Sequence, residues 1–592
     1  MTRRRLEIPV ATVAFLLILY SFNAWHSGVS LTKTTVFEPG VVQDENYFWR
    51  KLPTHFPVED MKQIPRGRPS ALPQVQATFR AESDLDREKR VQRQQVVKTS
   101  FARCWKSYYD KALPKDELAP LSGKAKETFG GWGAALVDNL DTLWIMGMHE
   151  EFEQAVDAAS QITFEMSSLQ TINVFETTVR FLGGLLSAYD LSGDQRLLRK
   201  AREVGDMLYV AFDTPNRMPI TRWDFGRALR GEQQEAPSDA FLAEVGSLCM
   251  EFTRLSLLTG DPRWYDATER IREAFEEQQM NTLVPGMWPL TTFPRDRAFD
   301  RDNTFGLGVI ADSMFEYLPK MHALTGGLIP SYRKMYETAM ATVIQYNLWR
   351  PMAPGSPDVL ISGTVHVNEW NGQRTYELEH QAQHLTCFAG GMLSLGGQLT
   401  QKAEHLEAGT KLTEGCLYLY QSMPIGIMPE QVYMAHCESK TDCEWDEYKW
   451  KQAVLQKAGE YDWTDMRKAD KIIKKKNLSP GFTEIPDARY TLRPEAIESI
   501  FVLFRITGRK DLLESAWAMF ETIQNHTETK LANAILQDVN VEQHAPKTDS
   551  MESFWMSETL KYFYLIFSEP DLISLDEWVF NTKAHPFKRL RR

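Results

Sequence analysis

Acids interrupt several otherwise apolar stretches of this 592-residue chain. Phe175-Glu-Thr-Thr-Val-Arg180 places Glu176 and Arg180 one helical turn apart. Ala311-Asp-Ser-Met-Phe-Glu-Tyr-Leu318 places Asp312 and Glu316 at the same spacing. In Tyr490–Ser499, Arg493 precedes Pro494, a residue suited to a first helical position, and Glu495 and Glu498 fall in the first turn. Glu244 lies among small residues in Phe241–Ser247, and Met551–Lys561 carries Glu552 and Glu558. A lone Glu–Arg pair is ordinarily a solvated ion pair of little worth. A carboxylate at a helix start ordinarily serves the helix dipole. That accounts for Glu495 but poorly for the set, because most of these acids fall at the ends of helical hairpins. A ring of such hairpins would gather them at one mouth. Paired acids in a cavity are the equipment of glycoside hydrolysis, one protonating the leaving oxygen while another activates water. Clustered acids also suit a hard cation such as Ca²⁺. The sequence carries no Cys/His zinc spacing, no phosphate-binding glycine loop and no nucleophile elbow.

The elements that must hold these acids are helical. Patterning at helical spacing starts near Asp86 and continues to the C-terminus. Helices end repeatedly in a glycine turn: Leu191-Ser-Gly-Asp194, Leu258-Thr-Gly-Asp261, Leu324-Thr-Gly-Gly327 and Ile506-Thr-Gly-Arg509. Asp194, Asp261 and Asp511 are placed to cap the helices that follow. Hairpins without strand runs between them argue against a βα barrel and for an all-α repeat, either an open solenoid or a closed ring. Val359–Val365 reads as short strands on one rim. Gly183-Gly184 would let a neighbouring helix come close to the helix of Glu176.

Composition and compartment follow. The chain is 43% hydrophobic and 25% charged, with a net charge of −12 that argues against nucleic acid as a partner. Sixteen Trp residues give mild support for sugar stacking. Thr2-Arg-Arg-Arg5 precedes a mostly apolar run from Ile8 to Trp25. Its length suits a bilayer, and the arginines should stay cytoplasmic. Residues 1–26 are read as a cytoplasmic tail and signal anchor, with a cleaved signal sequence as the alternative. Residues 27–85, rich in Pro and polar side chains, are read as a luminal stem, and 86–592 as the catalytic domain. Six cysteines then lie in a disulfide-permissive lumen; Cys437 and Cys443 are close enough for a local loop. Asn525-His-Thr527 is a glycosylation sequon, as is Asn477-Leu-Ser479, the latter followed by Pro480.

Together these segments resemble glycoside hydrolase family 47, the class I α-1,2-mannosidases, from about Arg90 to Phe587. The resemblance rests on the acid segments above with Gly131–Gly147, His384-Leu-Thr-Cys-Phe388 and Trp578-Val-Phe-Asn-Thr-Lys-Ala-His-Pro586. It implies an (α/α)7 barrel with minor β-hairpins and inverting, calcium-dependent removal of α-1,2-linked mannose from oligomannose N-glycans. The protein would be a type II membrane protein facing the lumen of the Golgi or endoplasmic reticulum. Glu176 is implied as general acid and Glu495 as the favoured base, with Asp312 as its competitor or partner in proton transfer. Arg180, Glu244, His384, Arg493, Glu498, Phe554 and Glu558 are implied to line the sugar subsite. Thr582 is implied to hold Ca²⁺ through its carbonyl and hydroxyl, and Cys387 and Cys416 to form the family's disulfide. A quality-control relative that binds glycans with little turnover is the alternative.

Two residues depart from the family pattern. Lys583 stands where the family usually has Glu after the calcium threonine, which puts a cation beside the metal site. Ile310 stands where the endoplasmic-reticulum enzymes carry Arg and the Golgi enzymes an apolar residue, implying a Golgi-like choice of mannose branches.

Overall fold

The computed structural model describes residues 47–591. The run read as a membrane anchor lies outside them. Among the described residues no helix is long and apolar enough to cross a membrane.

The glycine-ended hairpins build a closed ring. Leu140–Ile145 pairs with His149–Ser160, Gly183–Ser192 with Gln195–Val210, and Cys249–Thr259 with Arg263–Gln278. Asp312–Leu324 pairs with Pro330–Tyr346, Phe388–Thr400 with Ala403–Ser422, and Glu495–Thr507 with Asp511–Thr527. The last inner helix, Leu560–Ile566, takes as its partner the long Asp84–Lys111 from the other end of the chain. First members touch one another in chain order. The turn Trp555–Thr559 closes the circle against Leu140–Ile145. This is the (α/α)7 barrel.

Burial sorts the two layers. Every residue of the inner helix Phe388–Thr400 except Gln398 is buried. The outer helix Gln195–Val210 buries a stripe through Leu197, Leu198, Ala201, Val204 and Leu208. Gly193, Gly260 and Gly508 end inner helices in the left-handed region, at φ 75°, 76° and 68°. Asp194 caps the next helix by accepting from Arg196 N, and Asp261 accepts from Arg263 N at 3.1 Å. Asp511 does not cap; it is itself the first helical residue, after Lys510. Pro494 likewise sits one place earlier than the sequence suggests, as the cap before Glu495.

Gly183 and Gly184 do allow a close approach. A Cβ on Gly184 would lie 2.7 Å from the Val137 carbonyl oxygen, and one on Gly183 2.8 Å from Asn581 Nδ2. Helix Ala134–Asp138 and the loop after Phe580 therefore press directly onto the helix of Glu176.

Strands are short. Thr364–Trp370 and Gln373–Glu379 form a hairpin across Asn371-Gly372, flanked by Thr304–Phe305. A second three-stranded sheet, Gln381–Gln383 with Gln431–Met434 and Phe482–Asp487, leads straight into His384.

Residues 47–82 carry only one short helical turn, yet they are fastened to the barrel. The Trp49 indole donates to Phe164 O (3.2 Å) and His55 N to Asp213 (2.7 Å). Lys62 N donates to Asp266 (2.8 Å), Val75 N to Asp576 (2.6 Å) and Ala77 N to Arg505 O (2.8 Å). An extended chain without a ladder must find partners for its N–H groups. Here barrel carboxylates supply three of them, Asp266 from an outer helix and Asp213 and Asp576 from loops.

Candidate active site

Helix termini bring the acids together. Asn173 caps a short helix by accepting from Glu176 N (3.2 Å), which puts Glu176 in the first turn. The chain then widens into a π-turn over Thr178–Leu182, with Arg180 in it, before the helix resumes at Gly183. A second π-turn, Trp555–Thr559, carries Glu558. Such bulges re-aim side chains, and functional residues concentrate in them. Backbone strain marks the same region. Ile310 and Leu492 take φ 74° and 67°, just before Asp312 and Arg493, and Ala584 takes φ 55° just after Lys583. A β-branched residue at positive φ is a true outlier, and such strain persists only where the surroundings impose it.

A cavity of about 320 Å³ opens between these elements. Glu176, Arg180, Asp312, Arg493, Glu495 and Glu498 line it, and so do Phe554, Glu558 and Thr582. Glu244 and His384 do not line it but stand behind it. His384 Nδ1 lies 3.2 Å from Glu495 Oε2, and its Nε2 lies 2.7 Å from the Tyr420 hydroxyl. Glu244 is paired with Arg222 and accepts from Asn173 Nδ2 at 3.3 Å.

The acids fall into two electrostatic groups. Burial raises the pKa of Glu176, but Arg180 and then Lys583 outweigh it, and the net value lies below the ordinary carboxylate range. Arg180 Nε donates to Glu176 Oε2 at 2.7 Å. Glu495 is also lowered against its burial, by the His384 contact and by Arg493, whose Nη1 lies 3.6 Å from Oε1. Asp312 moves the other way: burial, with the charges of Glu316 and Glu495, pushes it up to about 7 despite the hydrogen bond from Ser313 N (2.8 Å). Burial pushes Glu558 up to about 7 and Glu498 up to about 8, the latter against the attraction of Lys320, whose Nζ is 3.3 Å away. At neutral pH the cavity thus holds ionised Glu176 and Glu495 together with carboxyls that burial keeps partly protonated.

Several supporting residues are absent from the sequence reading. Asp138 holds Arg180 from behind at 3.1 Å. Glu430 receives Arg493 Nε, Thr491 N (3.1 Å) and Thr491 Oγ1 (2.7 Å). Lys320 bridges Glu316 and Glu498. Phe129 lies under the Arg180 guanidinium at 4.4 Å. Among these, only the spacing Glu316–Lys320, one turn apart, is visible in the sequence.

The metal question turns on the floor. Thr582 lines the cavity, and its N–H points to the Tyr317 hydroxyl at 3.4 Å. Glu558 Oε1 is buried without a hydrogen bond. Among the described residues no three His, Cys, Asp or Glu side chains converge as a metal cage. The floor therefore fits a hard cation held by few protein oxygens and completed by water or sugar oxygens. Lys583 Nζ stands 3.6 Å from that same Glu558 oxygen and 5.6 Å above the Phe554 ring.

Cys387 and Cys416 are joined, as are Cys437 and Cys443; Cys104 and Cys249 are buried free thiols.

With ring, cavity and acids in place, the comparisons with known proteins decide the family. The sequence model of glycosyl hydrolase family 47 matches residues 100–589. The chain belongs to this family. It is 34% identical over 509 residues to mannosyl-oligosaccharide 1,2-alpha-mannosidase MNS1 of Arabidopsis thaliana, covering 85% of this chain and 79% of that one. It is 33% identical over 497 residues to the human endoplasmic reticulum mannosyl-oligosaccharide 1,2-alpha-mannosidase, covering 83% of this chain and 64% of that one. The solved alpha-1,2-mannosidase from Trichoderma reesei superposes with a TM-score of 0.71 at 27% identity, covering 84% of this chain and 99% of that structure. The family barrel is thus present over almost the whole described chain.

Proposed function

We propose that this protein is an inverting α-1,2-mannosidase that trims terminal mannose from oligomannose N-glycans in the lumen of the endoplasmic reticulum or Golgi, tethered by its N-terminal segment. The observation that carries the reading is the cavity wall. An ionised Glu495, braced by His384 and Arg493, shares the cavity of a family 47 barrel with an Asp312 carboxyl pushed up to about 7. Glu495 takes the proton of the attacking water. Asp312, partly protonated at neutral pH, passes its proton to Glu176 when sugar binds, and Glu176 delivers that proton to the leaving oxygen. Arg180 and Arg493 hold hydroxyls of the departing mannose, and Phe554 offers it an apolar face. Glu498 and Glu558 line the same cavity, His384 braces Glu495, and Glu244 stands behind, tied to Asn173 and Arg222. Thr582 is the proposed protein ligand for Ca²⁺, which when bound would help orient the sugar. The decisive experiment is mannose release from a defined oligomannose glycan, with and without chelator. Release by the wild type and its loss in Glu176→Gln support the reading; equal release by Glu176→Gln sinks the acid assignment.

Lys583 favours a second reading, a glycan-binding barrel with little turnover. The ammonium beside Glu558 repels a divalent ion on the same floor. Titrating Ca²⁺ by calorimetry into wild type and Lys583→Gln separates the two readings. The substitution is expected to tighten Ca²⁺ binding about tenfold, as removal of a nearby, partly buried like charge requires. Equal affinities would show that Lys583 does not oppose the ion. A wild type that binds glycan but releases no mannose at saturating Ca²⁺ would establish the second reading.

A further inference from the structure

Two glycosylation sequons lie away from the cavity, and the fold treats them differently. Asn525-His-Thr527 ends the outer helix Asp511–Thr527. That helix buries a stripe through Ala516, Phe520, Ile523 and Thr527. Asn525 stands off the stripe and is exposed. Thr527 is wholly buried. Its Oγ1 donates to Ile523 O at 2.7 Å and accepts from Asn533 Nδ2 at 2.8 Å. Asn533 Oδ1 accepts in turn from Arg103 Nη2 at 2.9 Å, on the long helix Asp84–Lys111. The amide of this sequon faces water while its hydroxyl is held inside the fold. We infer that Asn525 carries an N-linked glycan, attached before the helix Asp511–Thr527 forms, and that Asn477 stays bare. The inference rests on the reading of this chain as luminal.

The order of events follows from helix geometry. The transfer joins Asn525 Nδ2 to C1 of an oligosaccharide carried on a lipid diphosphate. The C1–O bond breaks, the lipid diphosphate leaves, and an amide proton passes to a base of the transferase. The sequon is defined by the carboxamide and by the hydroxyl two residues on, so the transferase must grip both. On an α-helix those side chains point about 200° apart. No single site can hold the two once this helix exists, and burial then puts Thr527 out of reach. After folding, the glycan projects into solvent from the face opposite the buried stripe, where a bulky group is tolerated. Asn477-Leu-Ser479 is the contrast. Asn477 takes φ 49° at the end of the helix Met466–Lys476, and its Nδ2 donates to Asn540 O at 3.1 Å. A saccharide on that nitrogen would crowd the contact. Before folding, Pro480 confines Ser479 to extended conformations and removes the N–H that follows, which stiffens the chain at the hydroxyl the transferase must grip.

The test translates the full chain into sealed microsomes that hold the transferase and its lipid-linked donor. Protease is then added outside the vesicles, and peptide N-glycanase after lysis. A protected chain with one mobility step is expected. The step should vanish with the glycanase and in Asn525→Gln, and persist in Asn477→Gln. A protected wild type without the step, or a step that survives Asn525→Gln, overturns the site. A bare chain open to protease refutes the luminal reading itself, and is told apart by that digestion. The order is tested on bare protein made without donor. One sample is kept native; the other is alkylated under denaturant at its six cysteines and dialysed, which blocks refolding. Given transferase and donor, the unfolded sample should gain the glycan and the native one should not. Equal modification of both, or none of the unfolded one, overturns the order.

Discussion

Asp312→Asn is expected to lower kcat/KM by about 10²–10⁴-fold, the span of a general acid–base group, and to remove a pH dependence as well as rate. In free enzyme the half-buried Asp312 carboxyl is pushed up to about 7, chiefly by desolvation and then by Glu316 and Glu495. A group required in its protonated form supports activity below its pKa and loses it as pH rises through that value. Wild-type kcat/KM should therefore fall on the alkaline side with a midpoint near 7. The acid limb belongs to Glu495, required ionised and held below its ordinary range, so activity is lost as pH falls below the usual carboxylate value. Replacing Asp312 with Asn removes the alkaline limb. The acid limb should stay where it is, because Asp312 is already neutral in the range where Glu495 titrates. Glu176→Gln should cost a similar factor but leave the limb near 7 in the residual activity, because Glu176 is already ionised in the sugar-free cavity. Glu558 is also pushed up to about 7, so Glu558→Gln is the control. A limb that persists in Asp312→Asn and disappears in Glu558→Gln places the proton on the floor and refutes the role given to Asp312.

The division between what the chain announces and what only folding reveals follows from distance. Glu176, Asp312, Glu495 and Glu558 stand out because an acid within an apolar helical run violates local patterning, and a local violation is visible in one dimension. The hairpin ring is visible for the same reason: glycine after a helix, then an acid at or just before the start of the next, is a short-range signal. Gly183-Gly184 is legible as a close approach, although not what approaches. Asp138, Glu430 and Arg222 are not legible, because each is an ordinary polar residue until a partner far away in sequence arrives. Arg180 meets Asp138 across 42 positions and Ser553 across 373. The π-turns at Arg180 and Glu558 leave no periodic trace, since one extra residue in a turn shifts a pattern that short segments cannot establish. Residues 47–82 lack periodicity altogether. Their anchorage comes from side chains of one outer helix and of barrel loops rather than from any element of their own.

Asp138→Ala is expected to destabilise the folded protein by about 3–5 kcal/mol, the largest single cost anticipated here. Asp138 is fully buried, and its Oδ2 accepts from Arg180 Nη1 at 3.1 Å and from Ser553 Oγ at 2.7 Å. Its Oδ1 lies 3.6 Å from His585 Nε2, and His585 Nδ1 lies 2.8 Å from Asp141, which in turn pairs with Lys561 at 2.9 Å. All five charged groups are nearly or wholly buried. Removing one carboxylate leaves the Arg180 guanidinium out of water with only Glu176 to balance it. The pH dependence gives an independent check. Burial opposes ionisation of Asp138, but Arg180 and His585 prevail and hold it at about 2. Its folded value is below its unfolded one, so its contribution is present above pH ~4 and is lost as pH falls through ~2. That difference is worth roughly 2 kcal/mol, and Asp138→Asn should forfeit about this amount while keeping the side chain's shape. For a chain of this size each kcal/mol lowers the melting temperature by about 1 °C, so Asp138→Ala should melt some 3–5 °C below wild type. The double variant Asp138→Ala with Arg180→Met is expected to recover part of the loss, since no unpaired charge is then buried. A shift under about 1 °C in Asp138→Ala, or no recovery in the double variant, would mean that water or Glu176 alone satisfies Arg180. Position and stability are linked through the same bond. Once Asp138 is gone, the only carboxylate hydrogen-bonded to Arg180 is Glu176, with the Ser553 hydroxyl and the Phe129 ring as its other contacts. The residual enzyme should then show a weakened grip on Glu176 as well as a lower melting point.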